Sequence, residues 1–191
     1  MKHSLIIALI SILAMAGRAQ PPKSPRPWQF HSLGQWGLLE GQAGPSYQLQ
    51  FINGLQHGPW FGGIGLGLDE YRNRSIPIFF DLRRSLGIKG HGLFIYAQAG
   101  LNYYWRSSQD QKQFPMNDRW KPGFYGEAGF GNRFRIGSRI QLFMSLGYSY
   151  KKLVEKGQNY EFNPGGFSGP NPTERIDYRL NRLSIKAGIE F

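Results

Sequence analysis

The clearest structural signal in the chain is residues 139–151, RIQLFMSLGYSYK. Every second residue from Ile140 to Tyr150 is a large apolar or aromatic residue, and most of the residues between them are small or polar. Alternation with a period of two predicts a β-strand whose two faces meet different environments. The same pattern recurs in residues 33–42 (most weakly), 46–53, 60–68, 76–86, 93–105, 124–136 and 182–191. The sequence therefore predicts an all-β protein with eight strands.

The length and polar face of these strands favour a membrane environment. The alternating runs are mostly about 9–13 residues long, whereas strands of soluble sheets average about 5–6 and a bilayer-spanning strand needs about 9–11. The alternative is a soluble sandwich or lipocalin-like barrel with its apolar face inward. Its outer face would normally be rich in charge, but here the polar face is mainly Gly, Ser and Gln with isolated charges. We therefore predict an eight-stranded antiparallel up-and-down transmembrane β-barrel with a narrow, filled lumen.

The connections and the aromatic residues support this prediction. Residues 106–122 and 152–177 form long connections on one side, and Gly137-Ser138 on the other side is a tight hairpin signal. Transmembrane barrels have short turns at one end and longer loops at the other, with an aromatic girdle at each interface. We expect two girdles: Tyr71, Tyr103, Tyr104, Trp105, Tyr125, Tyr148, Tyr150 and Tyr178 at the loop end, and Trp60, Phe61, Phe94, Phe134 and Phe191 at the turn end.

The N-terminus carries the pattern of an export signal. Lys2 gives a positive start, residues 5–16 form an apolar run broken only by Ser11, and Gly17 and Ala19 are small residues at the −3 and −1 positions of a cleavage site. A run of about 12 apolar residues is too short to span a membrane. The predicted organisation is a signal peptide at 1–19, a Pro-rich extended leader at 20–30 and a barrel domain at 31–191. Removing the signal lowers the net charge from +11 to +9.

The last predicted strand adds a more specific feature. Residues 182–191, RLSIKAGIEF, alternate as far as Phe191, which is the last residue of the sequence. Together with the strand pattern and the stretch WFGGIGLGLD at 60–69, the chain resembles the small eight-stranded bacterial outer-membrane β-barrel proteins. The resemblance implies a location in the bacterial outer membrane, contact with its lipid and glycolipid, and extracellular loops at 106–122 and 152–177. It also implies that Phe191 is an assembly signal for the barrel-insertion machinery.

Strand parity places a set of charged residues on the lumen face. Unpaired charges in a narrow, partly dehydrated lumen are costly, so we expect Arg–Asp and Arg–Glu pairs. A gated ion path is one interpretation of these charges, and a salt-bridged plug is the interpretation that we favour. The predicted lumen charge network is Asp81, Arg83, Glu127, Arg133, Arg135, Arg139, Arg182, Lys186 and Glu190.

The sequence offers little support for catalysis or metal binding. It contains no cysteine, so thiolate metal sites and cysteine nucleophiles are excluded. The histidines of the mature chain, His31, His57 and His91, precede the barrel or lie in predicted turns, away from the loop-side serines, so histidine-activated acyl transfer lacks its base. We therefore expect no catalytic residue, no metal site and no cofactor.

The distribution of charge also limits the partners. Export and dispersed charges argue against nucleic acid despite the pI of about 10.0. On the loop side we assign eleven cations, Lys151 among them, and eight anions, Asp69 among them. This small excess could pair with glycolipid phosphates, but solvated loops are the simpler interpretation.

The predicted function is a non-enzymatic barrel with a structural, surface-interaction or envelope role through its extracellular loops. The alternatives are an accessory subunit of an outer-membrane secretion or uptake complex and, less favoured, a lipid-modifying enzyme.

Overall fold

The computed structural model describes residues 27–42, 44–71, 74–87, 92–105, 119–136, 140–158 and 173–191. The predicted signal peptide lies outside these residues, as does the leader up to Arg26. The described residues contain no helix long and apolar enough to cross a membrane. Their strands are β1 (Gln29–Gly41), β2 (Ser46–His57), β3 (Trp60–Asp69), β4 (Ser75–Ser85), β5 (Gly92–Tyr104), β6 (Arg119–Lys121), β7 (Gly123–Arg135), β8 (Gln141–Gln158) and β9 (Thr173–Glu190).

Eight of these nine described strands close into an antiparallel barrel. Each long strand pairs with the next one along the chain, and β9 pairs with β1 to complete the circle. The short β6 pairs only with β8 and is not part of the closed wall. Beyond the last strand residue, Ser32 and Phe191 exchange two backbone hydrogen bonds of 2.8 and 3.0 Å. The predicted eight-stranded barrel is confirmed.

The two ends of the barrel differ. The turn end holds the β2–β3, β4–β5 and β7–β8 connections, the start of β1 and the end of β9. The loop end holds the other connections. The β2–β3 turn consists of Gly58 and Pro59, with Gly58 in the left-handed region at φ 60°. Strand β2 therefore runs to His57, beyond the predicted strand at 46–53, because its alternation continues through Leu55. Similarly, β1 begins at Gln29, two residues before His31, where the barrel domain was predicted to begin.

The outer wall is apolar. Trp36, Leu49, Phe80, Phe130 and Ile185 are typical, with 41–69% of their surface exposed. This exposure suits a wall whose surroundings are lipid, because acyl chains remove apolar side chains from water.

The predicted girdles are correct only in part. Trp60, Phe134, Phe191, Tyr103, Trp105 and Tyr148 are exposed on the outside, but Phe61, Phe94, Tyr71 and Tyr125 are at most 2% exposed. The buried rings of Phe61, Phe94 and Tyr125 occupy inward positions of their strands, and Tyr71 packs with residues at the loop end of the lumen.

The β8–β9 hairpin rises above the rest of the barrel. Both strands have 18 residues, whereas β7 accompanies β8 only as far as the Tyr125–Lys151 pair and β1 accompanies β9 only as far as the Gly41–Arg182 pair. Residues 152–158 and 173–177, predicted as loop, are therefore strand. Seven residues past Lys151 correspond to roughly 23 Å along the strand. The predicted loop at 106–122 likewise contains a strand, β6, which pairs with this extension.

Candidate functional site

Tyr125 crosses the middle of the lumen. It projects from β7, and its hydroxyl accepts a hydrogen bond of 2.8 Å from Gln50 Nε2 of β2, which is four strands away in either direction around the barrel. The same hydroxyl lies 3.1 Å from Gln98 Oε1 and 2.9 Å from Glu127 Oε2. One side chain thus connects opposite walls, as expected for a barrel just wide enough for its side chains to fill.

Glu127 is the centre of a buried polar cluster around Tyr125. Lys186 Nζ lies 2.6 Å from Glu127 Oε1 and also donates a 3.0 Å hydrogen bond to Gln50 Oε1. The hydroxyls of Tyr96 and Ser184 donate to the same carboxylate oxygen at 2.7 and 2.9 Å. Glu127 and Lys186 are at most 4% exposed, so each charge is stabilised by its partner and by hydroxyl or amide groups rather than by water.

A second ion pair lies on β4. Arg83 Nε is 2.8 Å from Asp81 Oδ1, and its Nη2 donates a 3.2 Å hydrogen bond to Gln35 Oε1 on β1. Gln98 donates to the other Asp81 oxygen at 2.6 Å. The guanidinium is also 5.1 Å from the centre of the Phe143 ring, a cation–π distance.

A third cluster lies closer to the loop end. Asp69 forms ion pairs with Arg182 and, at 3.3 Å, with Lys151, and Lys151 also donates a 2.8 Å hydrogen bond to Ser75 Oγ. All three charged side chains are fully buried. The assignment of Asp69 and Lys151 to the solvated loops was wrong. Each occupies the next inward-facing position of its strand, two residues beyond Gly67 and Ser149 respectively, and therefore lies inside the barrel.

An apolar cluster closes the lumen at this end. Leu39, Tyr71, Leu153 and Leu180 pack together with at most 6% exposure, and Tyr178 packs against them. The Arg182 guanidinium lies 5.3 Å from the centre of the Tyr71 ring, so the third charge cluster sits directly against the apolar one.

The turn end opens into a vestibule. This cavity of 590 Å³ is lined in part by Gln56, Ser85, Arg133, Arg135, Gln141 and Glu190. Arg133 Nε lies 2.9 Å from Glu190 Oε2, and its Nη1 donates a 2.8 Å hydrogen bond to Ser85 Oγ. The other Glu190 oxygen is 3.3 Å from His31 Nδ1. The guanidinium of Arg133 also stacks over Phe94, 4.6 Å from the ring centre.

The predicted charge network is therefore brought together in large part. Asp81, Arg83, Glu127, Arg182, Lys186 and Glu190 are buried, and Arg133 is paired at the edge of the vestibule. Arg135 lines the vestibule, but it is the last residue of β7 and lies exposed at the rim, so its prediction as an interior charge was wrong. Arg139 lies outside the described residues. Phe191 is 63% exposed at the turn end. Its role as an assembly signal stays a prediction.

The described residues show no grouping of three His, Asp or Glu side chains that could hold a metal ion. His57 stacks on Trp28 at a ring distance of 4.7 Å, and His31 contacts Glu190. His91 lies outside the described residues.

Comparison with known proteins gives a fold and no family. No protein-family model matches the chain, and no curated protein matches it at a significant level. Among solved structures, Neisserial surface protein A (NspA) superposes with a TM-score of 0.53, at 8% identity over 88% of this chain and 98% of that one. Outer membrane protein AlkL, determined by solid-state NMR in DMPC bilayers, gives 0.49, at 10% identity over 92% and 95%. The NspA superposition, together with the observed closure of the sheet, shows that this chain has the fold of the small eight-stranded outer-membrane β-barrels.

Proposed function

We propose that this chain is a non-enzymatic, non-conducting barrel of the bacterial outer membrane that displays its β8–β9 hairpin for surface interaction. The proposal rests on the contrast between a filled lumen and a β8–β9 hairpin whose strands are longer than the other strands of the wall. A wall of eight strands is sufficient to cross the bilayer, and the extra length of β8 and β9 serves no purpose in crossing it.

The filled lumen supports the absence of a pore. Tyr125 spans the barrel in the middle, and the cluster of Leu39, Tyr71, Leu153 and Leu180 closes it at the loop end. Purified protein in planar bilayers should therefore show no steady conductance at neutral pH. Large, long-lived open channels would contradict the proposal and favour a porin-like role.

The positions of the described histidines support the absence of acyl-transfer chemistry. His31 and His57 belong to the turn end, while the buried serines Ser75 and Ser149 bond to Lys151 and Arg182 near the loop end. Incubation with phospholipid and glycolipid followed by mass spectrometry should show no lipid turnover. Release or transfer of an acyl chain would instead support the lipid-modifying alternative.

The role of the hairpin can be tested by shortening it. Val154 and Asp177 are directly paired, so an Asn-Gly turn can replace residues 155–176 while keeping the register. Cells lacking the protein would be complemented with the full-length or the shortened chain, and surface adhesion and detergent sensitivity would be compared. We expect the shortened barrel to assemble without restoring the adhesion phenotype. Equal restoration by both chains would show that the function does not depend on the hairpin.

A partner in a larger complex remains the second candidate. A stoichiometric partner recovered from detergent-solubilised outer membranes would favour the accessory-subunit alternative, particularly if its capture persisted with the shortened hairpin.

A further inference from the structure

The vestibule at the turn end is a cavity that the surface role of the hairpin does not require. Phe94 connects it to the interior: the guanidinium of Arg133, which lines the cavity, lies 4.6 Å from the centre of the Phe94 ring, and that of Arg83, in the middle of the lumen, lies 5.6 Å from the same centre. Beyond Phe94 the lumen is occupied by the ion pairs and by the Tyr125 cluster. A cavity of 590 Å³ at the mouth of a filled lumen is suited to holding a ligand rather than to passing one.

The charge of the vestibule is positive. Its carboxylate, Glu190, is 3% exposed and is already paired with Arg133 at 2.9 Å, with His31 3.3 Å away. Arg135 lines the same cavity, is exposed, and has no ion-pair partner among the residues that the structure describes. One guanidinium is therefore in excess.

The lining also contains neutral polar side chains, which can donate hydrogen bonds to an anion. Gln56 and Gln141 contribute side-chain amides, and Ser85, which accepts from Arg133 at 2.8 Å, fixes the direction of that guanidinium. Because Arg133 is held by Glu190 and Ser85, little rotamer freedom remains to be lost when a ligand binds. Guanidinium groups match the planar oxygen pairs of carboxylates and phosphates with two parallel hydrogen bonds.

We propose that the turn-end vestibule is an oxyanion-binding site, in which Arg135 contacts the anion directly and Arg133 forms the inner wall. The ligand is a carboxylate or phosphate group on a molecule at the turn-end side of the membrane. Two sources offer this chemistry: a soluble anion, and the headgroup of an anionic lipid that reaches over the rim.

The test uses the full-length mature protein in zwitterionic detergent, with inorganic phosphate as the probe and isothermal titration calorimetry as the measurement. We expect saturable binding, and Arg135→Gln should weaken it by at least about tenfold, the effect of losing a charged hydrogen bond. Since Arg135 is exposed, this variant should fold as the parent does. The matched control is Arg84→Gln at the same end, because Arg84 lies on the outer wall, 5.0 Å from the Trp60 ring centre, and should leave the affinity unchanged.

A second arm distinguishes the sources. The titration is repeated in nanodiscs of phosphatidylcholine and in nanodiscs containing phosphatidylglycerol. If the anionic lipid abolishes phosphate binding, the site holds a lipid headgroup, and if phosphate binds equally in both, the site takes a soluble anion. The absence of saturable binding in every medium would overturn the proposal. An equal loss in Arg84→Gln and Arg135→Gln would also overturn it, since the attraction would then belong to the whole basic rim.

Discussion

Replacing Glu127 by Gln should destabilise the barrel strongly although the shape of the side chain is kept. At the observed 2.6 Å between Lys186 Nζ and Glu127 Oε1, the attraction is about 6 kcal/mol for an effective dielectric constant of about 20. Part of it is recovered, because Lys186 keeps its 3.0 Å hydrogen bond to Gln50 and the new amide oxygen still accepts from Tyr96 or Ser184. Removing one partner of a buried pair typically costs about 3–5 kcal/mol, and we expect a loss in that range in the free energy of unfolding.

The assay is urea unfolding in lipid vesicles, followed by tryptophan fluorescence and by heat-modifiable migration in gels. The control is the double variant Glu127→Leu/Lys186→Met, in which neither charge is left buried. Apolar replacement of a whole buried pair is often neutral or stabilising, so the double variant should be more stable than Glu127→Gln alone. A loss below about 1 kcal/mol in Glu127→Gln would refute the reasoning, because a cost that small is typical of solvent-exposed pairs.

Three further outcomes follow from the geometry. Asp69→Asn leaves two fully buried cations without their carboxylate and should lower the free energy of unfolding by about 3–5 kcal/mol or more in the same assay. The control Glu70→Gln breaks an exposed pair with Arg74 and should change it by no more than about 1 kcal/mol. Similar losses in the two variants would contradict the assignment of Asp69 to the lumen. Ile185→Arg puts a charge on the outer wall, where Ile185 is 55% exposed, and should lower the free energy of unfolding by about 2–4 kcal/mol if it lies near the midplane. The control Ile185→Val should leave the free energy of unfolding nearly unchanged. An Arg variant as stable as the parent would argue against a lipid-facing wall. Phe191→Asp should reduce the amount of folded protein in outer-membrane fractions relative to Phe191→Trp, and equal amounts would remove the assembly role from this residue.

Period-two alternation was enough to predict the eight strands of the barrel wall, the direction of the apolar face and most of the interior charges, because in a strand the face of each residue follows from its parity. Parity does not reveal where a strand leaves the wall. For that reason Arg135 was placed inside although it lies at the rim, and Asp69 and Lys151 were placed outside although they are buried. The strand alternation did contain the signal for both: Asp69 continues the series of Gly63, Gly65 and Gly67.

The contacts across the lumen lay beyond any local pattern. That Tyr125 reaches Gln50 depends on the diameter of the barrel and the stagger of its strands, and both are properties of the closed sheet. The length of β8 and β9 was missed for a related reason, since residues 159–172 are rich in Gly and Pro and made the whole of 152–177 resemble a loop.

The position of Tyr125 has a consequence for the order of assembly. Its partner Gln50 lies four strands away by either route around the sheet, so this hydrogen bond forms only when the sheet has curved to the diameter of the closed barrel. Before that moment the polar residues of the interior face an open trough, and in hydrocarbon they would have too few partners. We therefore expect the β1–β9 seam and the interior hydrogen bonds to form together, in a cooperative final step of folding. The polar residues that stabilise the finished barrel are the ones that most raise the free energy of a half-closed sheet.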